Sequence, residues 1–111
     1  MRVLVGAIAS TRSGDKGADA NVGVWARTDR AYEALRSALT ADAVGRHFAA
    51  VCHRPVRRYE LPNLRALNFV LPGTLGGGGS TSMRSDAQGK AYGLALAHLV
   101  IEVPDDLEVG G

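Results

Sequence analysis

The pattern of apolar and polar positions in the first quarter of the chain predicts a pair of antiparallel strands. Arg2–Ala9 is a nearly continuous run of small and β-branched side chains, which predicts a strand buried on both faces. In Ala20–Arg27 every second side chain is apolar, as is typical of a strand with one buried face. Ser10–Asp19 is charged and holds two glycines, so we expect it to be the loop that joins the two strands.

The next part of the chain has the apolar spacing of two short helices. Thr28 or Asp29 can serve as the N-cap of a helix that extends to Leu39, and Thr40 can cap a second helix that extends to about Val51. The expected inner positions are Tyr32, Leu35 and Leu39 in the first helix and Val44, Phe48 and Val51 in the second.

Two further strands are predicted around a break at Pro62. Pro55 precedes Val56–Leu61, so this segment is expected at the edge of a sheet, where a missing N–H donor is tolerated. Leu64–Leu71 is strongly apolar and predicts a central strand. Asn68 interrupts that run, and a buried asparagine needs hydrogen-bond partners. Its amide is therefore either a structural anchor for the next loop or a group that binds a ligand.

A long glycine loop and a last helix complete the domain. Pro72–Arg84 contains four consecutive glycines, which fits either a flexible linker or an ordered binding loop. We favour an ordered loop, because a linker would have no second domain to join. Ser85 and Gln88 fit a capping box, which predicts a helix to about Val100. Small residues recur at every fourth position of this helix, which indicates close packing against another backbone: Gly89, Gly93 and Ala97.

These elements predict an α+β fold in the order ββααββα. We expect a two-layer sandwich in which helices cover one face of a mainly antiparallel sheet of about four strands. Residues 1–104 would form one domain. An extended segment, Ile101–Val103, would end it, and residues 105–111 would form a frayed polar tail.

Composition excludes several classes of function. The net charge is +2, the basic residues are scattered and aromatic residues make up 5% of the chain, so we expect no nucleic-acid binding. The single cysteine, Cys52, is expected to be a packing thiol in a reducing compartment. The histidines form no metal-binding pattern. No segment is long enough to be a signal peptide or a membrane span, so we expect a cytoplasmic protein. We also expect it to use no metal or cofactor.

Three ordered motifs resemble a known family. They are S-G-D-K-G-x-D-A-N at Ser13–Asn21, R-Y-E-L-P-N-L-x-A-L-N-F-V-L at Arg58–Leu71 and G-G-G-G-S-x-S-M-R-x-D-x-Q-G-K at Gly76–Lys90. Together they resemble the AtuA-like ferredoxin-fold domain of acyclic terpene utilisation proteins. Ala18 stands where that family more often has asparagine, and Met83 stands where it more often has leucine.

The resemblance implies a ferredoxin-like fold and a place in acyl-CoA metabolism. In this family the domain is either the C-terminal part of a larger AtuA-type protein or a separate small polypeptide. These proteins are associated with the catabolism of branched or terpenoid acids. A chain of this size would thus be a small subunit that assembles into an oligomer with a larger AtuA-type partner.

The candidate site combines the two glycine segments. Glycine lets a backbone approach a ligand closely, and free N–H groups in such loops bind anions. The spacing is not that of a Walker A loop, so nucleotide hydrolysis is not indicated. Asp15 and Lys16 are the candidate catalytic residues. The candidate substrate-binding residues are Ser13, Gly14, Asn21, Asn68, Gly77, Gly78, Gly79, Ser82, Arg84 and Lys90. If the strands of Asn21 and Asn68 are neighbours, both segments could lie at one end of the sheet. Ser13–Gly17 alone could equally be a charged hairpin tip.

Two functions remain open at this stage. In the first, the chain is a subunit of a hydratase or lyase acting on a CoA thioester, with Asp15 as general acid or base and Lys16 and Arg84 binding an anionic group. In the second, it is a non-catalytic module that binds a larger AtuA-type partner and completes the site of that partner.

Overall fold

A computed structural model describes residues 1–16, 19–73 and 91–109, with only the backbone of Asp15 and Lys16. In chain order the elements are β1 (Arg2–Leu4), α1 (Val5–Ile8), β2 (Ala9–Lys16), β3 (Asp19–Ala26), α2 (Asp29–Ala38), α3 (Ala41–His47), β4 (Arg57–Leu61), a 3₁₀ turn (Pro62–Leu64), β5 (Ala66–Leu71), a helix over residues 91–97 (α4) and β6 (Val100–Glu102).

Four of the strands form one antiparallel sheet in the order β2-β3-β5-β4. This confirms the predicted α+β class and the position of β4 at an edge. The predicted pair was Arg2–Ala9 with Ala20–Arg27, but the strand that pairs with β3 is Ala9–Lys16. A second, two-stranded sheet was not predicted: β1 pairs antiparallel with β6, with Val3 opposite Ile101. The N-terminal and C-terminal strands of the domain are therefore neighbours.

The core lies between one face of the main sheet and the helices. The alternation predicted for β3 is confirmed, because Ala20, Val22 and Val24 are fully buried. On β5 they lie opposite three more fully buried side chains, Leu71, Phe69 and Leu67 respectively. Apolar pairs across neighbouring strands thus form the floor on which the helices pack.

The two middle helices begin where their threonines predict. The Oγ1 atoms of Thr28 and Thr40 accept hydrogen bonds from the N–H groups of Ala31 and Ala43, each at 3.0 Å. The second helix is shorter than expected and ends at His47. A turn follows the helix, in which the carbonyl of Phe48 accepts from the N–H groups of residues 51 and 52. The predicted inner position Val51 is consequently exposed.

The prediction of one strand over Arg2–Ala9 was wrong. Residues 5–8 form a helical turn between β1 and β2, and the guanidinium of Arg27 donates to the carbonyls of Gly6 and Ala7. A Cβ at Gly6 would lie 3.2 Å from the Cβ and from the carbonyl oxygen of Ala97. The turn thus brings the chain into a close contact with α4 that a straight strand would not make.

The predicted loop over Ser10–Asp19 is also mostly strand. β2 continues to Lys16, which pairs with Asp19 at the start of β3, and we call this end of the pair the hairpin tip. Polar residues fill this strand because one of its faces is open to solvent and the other contacts the polypeptide backbone of α4. The alternation of apolar and polar side chains that usually identifies a strand is therefore absent from β2.

The C-terminal segment is packed at least as far as Leu107, which is buried. Asp106 forms an ion pair with Arg30 at 2.9 Å, and Val103 donates a backbone hydrogen bond to Met1. The expectation of a frayed tail is therefore wrong over this part. Within residues 1–16, 19–73 and 91–109, no helix has both the length and the apolar character needed to cross a membrane.

Candidate functional site

The tip of the β2–β3 hairpin and the entry to the glycine loop lie at the same end of the main sheet. In the strand register, Ala20 is opposite both Asp15 on β2 and Leu71 on β5. The chain leaving β5 then turns, and the N–H of Gly73 donates to the Oδ1 atom of Asp19 at 2.8 Å. The side chain of Asp19 therefore holds the turn that follows β5.

The helix that follows the loop approaches the same end. The hydroxyl of Thr11 donates to the carbonyl of Gly93 at 2.9 Å. A Cβ at Gly93 would lie 3.0 Å from the Oγ and 3.3 Å from the N of Ser13, whereas Ala97 lies close to Gly6 in α1, the turn that precedes β2. Helix α4 therefore runs along β2 with its N-terminal end toward the hairpin tip.

This packing confirms the close approach that the row of small residues predicts, for Gly93 and Ala97; Gly89 lies outside the described residues. On the two sides of residues 74–90, Gly73 bonds Asp19 and Gly93 contacts Ser13, so both contacts lie toward the hairpin end of β2 and β3. The N-terminal end of a helix carries the positive end of its dipole, which favours an anion there.

The sheet separates the candidate residues into two groups. Ser13 faces the helices, where it contacts Gly93. Gly14 and Asn21 are paired on the opposite face, where a Cβ at Gly14 would lie 2.8 Å from the Oδ1 of Asn21. Asn68 is on that same face and on the neighbouring strand, but it is opposite Gly23 in the middle of the sheet.

The other candidate residues fall outside this description. For Asp15 and Lys16 only the backbone is placed, opposite Ala20 and Asp19. The candidates that lie outside the described residues are Gly77, Gly78, Gly79, Ser82, Arg84 and Lys90.

Sequence reasoning missed a buried cluster beneath the loop entry. The Sγ of Cys52 is 3.8 Å from the carbonyl oxygen of Pro72 and 3.4 Å from that of Arg54. Burial, together with the nearby Cys52 thiol, raises the pKa of Tyr92. The ring of Tyr92 also meets that of Phe48 edge to face, at 5.6 Å between centroids. The cluster supports the turn after β5. Its members are far apart in sequence, so no motif could reveal it.

The described residues can be checked for a metal site and for an arginine near the sheet that is free to bind an anion. No group of three or more histidine, cysteine or acidic side chains in the described part of the chain could hold a metal ion. The guanidinium of Arg58 donates to the carbonyls of Arg36 and Leu39 at 2.8 and 3.1 Å and pairs with Glu60. Arg58 therefore caps the C-terminal end of α2 and is not available to a ligand.

The fold and this site define a class: a two-layer α+β domain in which the turn after β5 and helix α4 both contact the hairpin end of an antiparallel sheet. The sequence profile of the AtuA ferredoxin-like domain matches residues 3–102, nearly the whole chain. The chain belongs to this family, which confirms the resemblance seen in the motifs. Comparison with curated proteins and with solved structures gave no match.

Replacing Asp19 with alanine is expected to lower the free energy of unfolding by about 1 kcal/mol, because the N–H of Gly73 loses its acceptor. Urea denaturation measures this value. Asp19→Asn keeps an acceptor oxygen and is expected to retain most of the stability. Equal stability of the alanine variant and the unchanged protein would contradict this role.

Proposed function

We propose that this chain is the small subunit of an acyl-CoA-processing enzyme of the hydratase or lyase type, which acts on branched or terpenoid acids. It contributes an anion-binding glycine loop to an active site shared with a larger AtuA-type subunit. The proposal rests on membership of the AtuA family and on the arrangement at one end of the sheet.

The observation that carries the proposal is that three segments are held together there. Asp19 binds Gly73 at the loop entry, and Thr11 and Ser13 contact Gly93 on the helix that follows the loop. With its two flanks anchored at one end of the sheet, the loop would present its N–H groups to a ligand bound at that end.

A CoA thioester matches this arrangement in two respects. Its phosphates are anions that main-chain N–H groups and helix N-termini bind well. Its acyl carbonyl develops negative charge when a proton is removed from the neighbouring carbon, and one donor to such an oxyanion contributes about 3 kcal/mol. In this proposal the amides of Gly77, Gly78 and Gly79 supply these donors.

The remaining candidates would position the substrate and transfer the proton. Asp15 would act as general acid or base, and Lys16 and Arg84 would bind the anionic group. Ser82 and Lys90 would add hydrogen bonds from the end of the loop. The proposed chemistry needs no metal or cofactor.

A second function is favoured by a different observation. The face of the sheet opposite the helices leaves two aromatic side chains exposed, Trp25 by 38% and Tyr59 by 48%. Large exposed aromatic side chains are common in protein interfaces. The chain would then be a non-catalytic module that assembles with a larger AtuA-type partner and completes the active site of that partner.

Titration of the isolated protein with a branched acyl-CoA such as isovaleryl-CoA, followed by calorimetry, separates the two functions. Saturable binding without a partner supports the first function, in which this chain contributes an anion-binding loop to the active site. The absence of binding, both alone and in a complex with a larger AtuA-type polypeptide, would refute it.

Asp15→Asn in the assembled enzyme is expected to lower kcat by a factor of about 100 or more, because the proton-transfer group is lost. Glu108→Gln, which removes an exposed carboxylate of the C-terminal segment, serves as the matched control and is expected to leave kcat unchanged. Full turnover by the Asp15→Asn enzyme would refute the assignment.

A further inference from the structure

Strand β4 has an outer edge that is unpaired in the described part of the chain. The main sheet ends at β4, whose strand partner is β5. Within residues 1–16, 19–73 and 91–109, no backbone hydrogen bond joins Arg57–Leu61 to any segment other than β5. Four of the five residues of β4 are exposed, and Arg58 is partly buried. The N–H and C=O groups on the outer side of β4 are therefore open to a further strand.

The side chains of β4 decide whether another strand can pair with this edge. Charged side chains often protect an open edge, and β4 carries three of them, Arg57, Arg58 and Glu60. Opposite charges that face each other across two strands stabilise the pair, and like charges destabilise it. Whether the charges of β4 prevent pairing thus depends on the residues that they would face.

The geometry of an antiparallel pair allows few registers between two copies of β4. Opposite residues either both form hydrogen bonds across the pair or both do not, and the two kinds of position alternate along each strand. The sequence numbers of opposite residues therefore differ by an even number. In a pair of identical strands, the two-fold axis consequently passes through one residue.

The charges select one of these registers. An axis through Arg58 would bring two guanidinium groups face to face, and an axis through Glu60 would do the same to two carboxylates. An axis through Tyr59 places each Arg58 opposite the Glu60 of the second copy. This register is also the one that pairs all five residues of β4, whereas axes through Arg58 or Glu60 pair three.

Glu60 can accept a hydrogen bond from a second copy without losing the bond it already has. Its Oε2 accepts from the guanidinium of Arg58 in the same chain at 2.7 Å. No described residue bonds the Oε1, and the side chain is 41% exposed. In the register centred on Tyr59, two arginines and two glutamates would alternate across the strand pair. Such a network of charges stabilises an interface more than an isolated ion pair on the surface does.

The opposite face of the same strand pair would cover apolar surface. The two Tyr59 rings would face each other, and Arg57 of each copy would face Leu61 of the other. In the single chain Tyr59 and Leu61 are among the exposed large apolar side chains. Aromatic pairs across neighbouring strands stabilise a sheet. Both faces of the pair therefore favour the register that the charges select.

The other edge of the main sheet does not have this property. The charged residues of β2 are Arg12, Asp15 and Lys16. The two basic residues have even sequence numbers and the acidic one has an odd number. No antiparallel register of two β2 strands can thus place a basic residue opposite an acidic one. Complementarity between two copies of the chain is specific to β4.

We propose that this chain forms a symmetric dimer in which two β4 strands pair antiparallel about Tyr59. The two four-stranded sheets then form one sheet of eight strands, with both helix layers on the same face. The hairpin ends of the two copies lie at opposite ends of the joined sheet, since the two β4 strands run in opposite directions. The inference does not depend on the proposed function.

Sedimentation equilibrium of the purified chain measures the dimer. We expect the mass to rise with concentration from that of one chain toward that of two, with Kd on the order of 10 µM, because the paired edge is a small interface. Glu60→Arg would place like charges opposite each other twice and should raise Kd at least tenfold. Glu108→Arg makes the same charge change at an exposed position of the C-terminal segment and should leave Kd unchanged.

A mixture of two variants tests the register itself. Arg58→Glu should weaken the dimer as Glu60→Arg does, because four carboxylates would then meet at the interface. In an equimolar mixture, one strand of each mixed pair carries two acids and the other carries two bases, so every cross-strand pair is again of opposite charge. We expect the mixture to dimerise at a concentration at which each variant alone is monomeric.

A cross-link tests the same register without a change of charge. In Tyr59→Cys the two new thiols would lie directly opposite each other, whereas in Leu61→Cys they would be about 13 Å apart along the strands. A short bismaleimide should therefore cross-link the first variant and not the second. Cys52 is buried and should not react.

Three results would overturn the inference. The first is a chain that remains monomeric at about 1 mM, which is far above the expected Kd. The second is a dimer with the same Kd in Glu60→Arg and Glu108→Arg, and the third is a dimer in which Tyr59→Cys is not cross-linked. Arg58 also caps α2, so circular dichroism must show that Arg58→Glu is folded. If it is not, the other two comparisons decide the question.

Discussion

Replacing Phe69 with alanine is expected to lower the free energy of unfolding by about 3–5 kcal/mol. Phe69 is fully buried in β5, between Val22 of β3 and Arg58 of β4. Both neighbouring strands are hydrogen-bonded in place, so the cavity left by the ring would collapse only partly. Urea denaturation followed by circular dichroism measures the change.

Leu64→Ala is the control for this substitution. Leu64 lies in the 3₁₀ turn just before β5 and is 59% exposed. Its truncation should change stability by no more than about 0.5 kcal/mol. Similar losses in the two variants would show that Phe69 is not in the core described above.

Replacing Gly93 with valine is expected to cost about 1–3 kcal/mol in stability and to weaken acyl-CoA binding. The Cβ alone would lie 3.0 Å from the Oγ and 3.3 Å from the backbone N of Ser13, and valine adds two methyl groups to it. Relief of this contact requires α4 to move away from β2, which would also move the end of the glycine loop. Denaturation and calorimetry measure the two effects.

Leu94→Val provides the comparison in the same helix. Leu94 is 66% exposed, so this variant introduces the same β-branched residue without a steric contact. It should cost no more than about 0.5 kcal/mol and leave binding unchanged. A Gly93→Val protein as stable as Leu94→Val would contradict the close packing of α4 on β2.

Short sequence patterns were sufficient to predict β3, β4 and the first turns of helices α2 and α3. The alternation in β3 defined its buried face, Pro55 placed β4 at an edge, and Thr28 and Thr40 marked the first turns of two helices. In each case the physical cause lies within a few residues of the element.

The errors arose where distant contacts determine the conformation. Residues 5–8 turn because Arg27 and Ala97 contact them, although their apolar side chains favour a strand. β2 is a strand although its residues are polar, because its partners are β3 on one side and the backbone of α4 above it. A sequence pattern does not contain these partners.

The candidate site shows the same division. The glycine segments and the row of small residues are visible in the sequence, and the packing of Gly93 on Ser13 follows from them. The bond from Gly73 to Asp19 joins residues 54 positions apart and was not foreseen. The shared face of Trp25, Tyr59, Arg12 and Arg57 was also missed, because these residues lie on one surface only through the strand register.

The central claim is that the hairpin tip and the two ends of the glycine loop form one anion-binding site. Titration of the ¹⁵N-labelled protein with isovaleryl-CoA, followed by amide chemical shifts, tests it most directly. The account predicts that the largest shifts occur together at Ser13, Asp19, Gly73 and Ala91. Shifts concentrated at the opposite end of the sheet, around Gly6 and Arg27, or no shifts at saturating ligand would contradict it.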